Sequence, residues 1–188
     1  MFTNFANPVL SLAVTVVTPQ LIIQGIIQTR LRRLTDVLNE PNTSHLLLID
    51  ATFMEVGSRR VVADSQVSQV QLADVLFVHT TGPTESGSEV RVPKQPVRAT
   101  ILVPPFTIEG EIHLAYESEL RLALDAEEGR FLPVSHARYW AYGVAESPNE
   151  ADLVVVNHAR AHVSIADGVR WLTEAPVDRG HGSRPDSW

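Results

Sequence analysis

Along much of the chain, apolar and polar residues alternate with a period of two. The clearest run places Phe106, Ile108, Gly110, Ile112 and Leu114 on one face, with Thr107, Glu109, Glu111 and His113 between them. Successive side chains of a strand point to opposite faces, so this run predicts a half-buried strand. Arg98 to Val103 predicts a strand before it, ended by Pro104-Pro105, because proline removes a ladder donor and fixes φ. Phe131 to Tyr142 and Asp152 to Ile165 predict two more, the last turning near Asn157. Glu117 to Glu127 carries Leu120, Ala123 and Leu124 among good helix formers, with Gly129 as a stop, and predicts a short helix.

The same pattern occurs earlier in the chain. Val14 to Gln28 aligns with Ala99 to His113 at an offset of 85, with Thr, Pro, Ile, Gly and Ile coinciding. His45 to Gly57 aligns with Phe131 to Gly143 at an offset of 86, and Leu34, Val37 and Leu38 fall opposite Leu120, Ala123 and Leu124. A third block sets Ala63-Asp64 against Ala151-Asp152 at 88. Three blocks in one order at nearly one offset predict an internal duplication. Gly25 and Gly110 sit on the apolar face of equivalent strands, where glycine marks a bend or a close backbone approach.

The expected architecture is therefore mainly β, a β-rich α+β fold. It comprises two tandem small bent antiparallel sheets or barrels, each with one short helix. Residues 8–79 form the first repeat, 80–97 a linker, 98–166 the second repeat and 167–188 a C-terminal tail. The expected core joins Ile108, Ile112, Leu120, Leu124, Leu132, Val134 and Val155, with Ile23, Ile27, Leu34, Leu38, Leu46 and Leu48 as counterparts of the first six. Short connections rich in turn residues favour this arrangement over a parallel α/β sheet.

Composition narrows the chemistry. The 188 residues contain no cysteine, which removes disulfides, thiolate metal sites and a cysteine nucleophile. A formal net charge of −7, with 15 basic residues, argues against a broad nucleic-acid face. The one tight basic cluster is Arg30, Arg32 and Arg33. The apolar stretch from Pro8 to Ile27 lacks a preceding Lys or Arg and is interrupted by Pro19, Gln20, Gln24 and Gly25. It reads as strand, neither a secretory signal nor a membrane span, and the expected location is the cytoplasm.

The glycine in a bending strand and the late strand Leu153-Val-Val-Val-Asn157 resemble Sm-like barrels. The second repeat is also similar to an uncharacterised bacterial small β domain, through Phe131-Leu-Pro-Val134, Ala137-Arg-Tyr139 and Val155-Val-Asn157. The likeness covers about 70 residues of the second repeat and the first only loosely. Sm-like proteins form rings and many bind RNA, so the resemblance implies assembly and, as a second reading, RNA or nucleotide binding. Here the helix follows the first hairpin instead of preceding it, and no RNA-contacting residue of that family is matched.

Candidate catalytic groups are sparse. If the last strand ran on past Asn157, then His158, Arg160 and His162 would share a face, with His136 on a neighbouring strand; the apolar positions between them make that a solvated row and not a metal site. Ser135-His136 and Ser44-His45 are adjacent in strands and so face opposite ways. No catalytic, cofactor or metal residue is assigned, and no enzyme activity is expected. The uncharged run Val9 to Val17 is surplus to one small sheet, so it is expected to be buried between the repeats or to pair with another chain. The expected function is a structural or protein-interaction module, a scaffold or assembly subunit. The alternative is an RNA- or nucleotide-binding module using Arg30, Arg32 and Arg33.

Overall fold

The computed structural model describes residues 8–81, 94–115, 129–142 and 147–165. Its elements are β1 (Leu10–Val17), β2 (Leu21–Thr29), α1 (Leu34–Leu38), β3 (His45–Glu55), β4 (Val61–Gln71) and β5 (Phe77–Thr80). These are followed by β6 (Lys94–Val103), β7 (Phe106–Ala115), β8 (Phe131–Ala141), β9 (Asn149–Asn157), a 3₁₀ turn (His158–Arg160) and β10 (His162–Ser164). The β6–β7 connection runs through a cis Pro104–Pro105 peptide. The expected helix at Glu117–Glu127, with Leu120 and Leu124, lies outside the described residues. So do positions 82–93 of the expected linker and all of the expected tail. The second β-rich stretch begins at Lys94, inside the segment read as linker.

The ten strands form one antiparallel sheet, in the order β10-β6-β7-β8-β9-β5-β1-β2-β3-β4. This differs from the expectation of two separate sheets. The reason is β5, a four-residue strand that pairs with β1 on one side and with β9 on the other. The sheet is thus two rows of five strands joined at β5–β9.

Pairing in the two rows corresponds position by position. Val14 lies opposite Gly25 in β1–β2, and Ala99 lies opposite Gly110 in β6–β7. The β2–β3 ladder shifts register between Gln24 and Ile26, and the β7–β8 ladder shifts between Glu109 and Glu111. Each bulge holds a residue with φ of 50°, Asp50 in one and His136 in the other. Both residue types tolerate the left-handed region better than most. Ala51 pairs with Ser65 and Ala137 with Ala151, which sets β4 against β9 at an offset of 86. The offset of 88 read from Ala63-Asp64 is corrected by this register.

Apolar side chains divide into two cores on opposite faces of the sheet. Ile23, Ile27, Leu34, Leu38, Leu46 and Leu48 are buried together in one. Ile108, Ile112, Leu132 and Val134 are buried together in the other. Val155, expected with the second group, packs with the first, because β9 crosses the junction. The central strands serve both cores. Val154 and Val156 face one and Val155 the other, and on β5 Phe77 and Val78 divide the same way.

Gly25 and Gly110 lie where β2 and β7 press against the bulged strands. A Cβ on Gly110 would stand 2.6 Å from Val134 Cγ1 and 2.8 Å from the Ser135 carbonyl oxygen; on Gly25 the closest approaches are 3.2 Å, to the Ile49 oxygen and Leu48 Cβ. Gly110→Ala is expected to destabilise the fold by about 1–3 kcal/mol, as overpacking against a fixed carbonyl does. Gly25→Ala is expected to cost less, and paired denaturant titrations check the order.

Candidate functional site

Polar side chains from both halves meet around the β5–β9 junction. Asn39, just past α1, pairs through its amide with the backbone of Phe131: Nδ2 donates to the Phe131 oxygen at 2.9 Å and Oδ1 accepts from the Phe131 N–H at 2.8 Å. Arg130 donates to the Thr43 oxygen at 2.7 Å, and Arg160 donates to the Ala73 oxygen at 2.7 Å. Asn157 is buried; its Nδ2 donates to the Leu72 and Val75 oxygens at 3.2 and 2.9 Å. Its Oδ1 accepts from the Ala159 N–H. This cap ends β9 at the expected turn, so the row that His158, Arg160 and His162 would make on a continued strand does not form. Among the described residues, no three His, Cys, Asp or Glu side chains are grouped to hold a metal ion.

Where β5 ends and β9 runs on, a groove of about 620 Å³ opens, lined in part by His79, Thr80, His136, Arg138, Glu150 and Asp152. His79 is its most constrained group. Tyr139 Oη lies 3.0 Å from His79 Nε2, and His79 Nδ1 lies 3.2 Å from the Thr80 oxygen. The carbonyl can only accept, so Nδ1 carries the proton and Nε2 accepts from the tyrosine. Burial holds the His79 imidazole below its ordinary value, against a smaller opposing effect of the Thr80 carbonyl, and burial likewise raises the Tyr139 hydroxyl. The pair is a neutral hydrogen bond inside the junction. Elsewhere the groove carries mixed charge, with His136 Nδ1 3.2 Å from Glu111 Oε2 and Arg138 3.8 Å from Glu150.

One pairing escaped the sequence reading. Ser135 Oγ lies 2.7 Å from His113 Nε2, across the β7–β8 ladder, and 3.2 Å from the Glu111 oxygen. A serine nucleophile needs its base oriented by a third group; among the described residues none is recorded at the other nitrogen of His113. Only the strand register, which sets Glu111 opposite Ser135, could have revealed the pair.

Arg30 and Arg32 are exposed on the turn between β2 and α1, and Arg33 is the residue preceding the helix. The second half of the N-terminal run is not an edge. β1 is paired with β2 along its whole length and with β5 over Val14–Val17, where Val14 and Val16 are buried, whereas Val9 is 57% exposed. Backbone pairing with another chain is therefore closed off over Val14–Val17, while on the β5 side Leu10–Leu12 have no ladder partner among the described residues. Among the described residues, the sheet's outermost strands are β4 and β10, and the short β10 covers only Thr100–Leu102 of β6. β4 is eleven residues long, contains one charge, Asp64, and has no lysine or proline. Val67 is 66% exposed and, on the neighbouring strand, Leu47 is 54% exposed; both share a face with Ile49, which pairs with Val67. No described helix is long and apolar enough to cross a membrane. Comparison with protein-family models, curated proteins and solved structures finds no match to the chain.

His79 gives a pH prediction. Its folded value lies below the unfolded one near 6.5, so the unfolded chain binds the proton first as pH falls. Stability from this site is complete above that value and declines as pH drops from it toward the folded value. Thermal melts of the wild type and His79→Gln should therefore converge as pH falls below about 6.5, where the variant lacks this loss. A constant difference across that range would show that His79 does not titrate on unfolding.

Proposed function

We propose that this chain is a non-catalytic structural and protein-interaction module, an assembly subunit built from a duplicated β unit. The matching bulges at Asp50 and His136, and the matching glycine contacts, support the duplication. The observation that carries the assembly reading is the β4 edge. Soluble proteins blunt edge strands with charge, proline or a covering element. Here, among the described residues, no strand pairs with the outer side of a long strand that carries one charge and runs beside the exposed apolar pair Leu47 and Val67. Of the apolar N-terminal run, which suggested assembly in the sequence, Val14–Val17 sit inside the sheet; the longer surface to be covered lies at the sheet's end.

Light scattering across a concentration range tests this. The expected result is a mass above that of one chain, lowered to the single-chain value by Leu47→Lys with Val67→Lys. Both side chains are exposed, so the variant should fold with a stability change within about 0.5 kcal/mol. A single-chain mass at the highest soluble concentration overturns the reading.

A second reading follows from the placement of Arg30, Arg32 and Arg33 on one turn and from the resemblance to Sm-like barrels. It makes the chain a module that binds RNA or a nucleotide through phosphate contacts. Three such contacts would weaken binding to single-stranded RNA with a log–log salt slope of about −2. Titration at several salt concentrations, with and without Arg30→Ala and Arg32→Ala, checks it; salt-independent or absent binding removes this reading.

A further inference from the structure

We propose that copies of this chain join head to tail, β4 of one against β10 of the next, repeating between chains the β5–β9 pairing found inside it. The proposal rests on the assembly reading above and specifies its partner and register. Inside the chain, the last strand of the first row meets the fourth strand of the second. Among the described residues, the two outermost strands are the fourth strand of the first row and the last strand of the second. They are the missing halves of the same junction.

The surfaces beside these edges agree. At an offset of 86, Val67 corresponds to Leu153 and Leu47 to Pro133. Leu153 packs against the first half's core, whereas Val67 is 66% exposed. The patch left open on β3–β4 is thus the counterpart of one that the first half already covers on β8–β9. The side-chain bonds differ. In the internal junction Arg160 reaches the Ala73 oxygen, next to Asp74. In the repeated junction Asp74 takes the place of Arg160, and its carboxylate, an acceptor, cannot bond the corresponding carbonyl, so the repeated junction lacks this tie.

The internal register sets Phe77 opposite Val156, Val78 opposite Val155 and His79 opposite Val154. The ladders place β10 at an offset of 85 from β5 and β9 at 86 from β4. His162 of one chain therefore lies opposite Val70 of the next, Val163 opposite Gln69, and Ser164 opposite Ser68. Gln69 stands where the internal junction has Val155, so the repeated junction is more polar and reversible on dilution. Such an interface is heterologous, and it closes into a ring or grows open-ended according to the rotation between units.

The absence of cysteine from the chain makes the register directly testable. Opposite residues of an antiparallel pair have Cα atoms about 4.5–5.5 Å apart, within disulfide reach. Under oxidation, Ser68→Cys with Ser164→Cys in the full chain should give a ladder of covalent multimers that reductant collapses. The two single variants, mixed, should yield a covalent dimer that neither yields alone. Assembly seen by light scattering without this cross-link, or Ser68→Cys linking to itself, overturns the head-to-tail pairing and leaves the broader assembly reading standing. A single-chain mass for the wild type overturns both. As a second variant, Gln69→Pro removes an edge donor without a side-chain charge; it should abolish multimers while keeping the wild-type circular dichroism, and multimers that persist in it count against β4 as the joining edge.

Discussion

The pairing of β5 with β9 holds the two halves in one sheet, and the rest of the architecture depends on it. β5 has only four residues, too few to stand as a free strand. With β1 on one side and β9 on the other, its backbone groups are satisfied along both edges. The same pairing lets one layer of valines serve two cores, one above and one below. Phe77 stacks edge-on against Phe106 and Tyr139 of the second half, with ring centroids 5.2 and 5.1 Å apart. Val78, one residue on, packs into the first half's core. Loss of this short ladder would expose both cores at once.

Much of this was legible in local sequence, and the reasons it was not complete are physical. The strand pattern around Gly110 and the equivalence of Gly25, Ala51 and their later partners rest on periodicity and spacing, which local residues carry. The unbroken runs Val75 to Val78 and Val154 to Val156 also signal strands buried on both faces. What such runs do not encode is the neighbour, since β5 and β9 are far apart in the chain and carry no local signal of pairing. The same limit hid the Ser135–His113 contact, which exists only through register. The turn near Asn157 was legible, but its cause was not: the Asn157 amide serves carbonyls 82 and 85 positions away and caps the turn that ends β9. In the third block, two shared letters suggested an offset of 88, while the ladder follows the bulge and the alanine opposite the glycine.

The candidate site was least legible because it is made of edges. Arg30, Arg32 and Arg33 are visible in sequence as a cluster, but the β2–α1 turn that displays them does not by itself bring acidic or aromatic partners to a ligand. The N-terminal run drew attention through its lack of charge, which over Val14–Val17 means a strand paired on both sides. β4 looked unremarkable because its serines and glutamines resemble an ordinary solvated strand. Only the strand order shows that nothing among the described residues lies beside it.

The two ends of the sheet are complementary without being equal to the internal junction, and this asymmetry has a consequence for assembly. Asn39, Arg130, Asn157 and Arg160 tie the halves together with side-chain bonds to backbone carbonyls. Each such bond contributes on the order of 1 kcal/mol. At the free edge the positions corresponding to Arg130, Asn157 and Arg160 are Ser44, Gln71 and Asp74, which do not reproduce those bonds. Covalent continuity adds a further advantage to the internal junction, since a tethered partner is present at high effective concentration. The internal ladder therefore forms first and remains formed, and any ladder between chains joins units that are already folded. A chain organised in this way carries its strongest junction inside itself and leaves the weaker one to concentration.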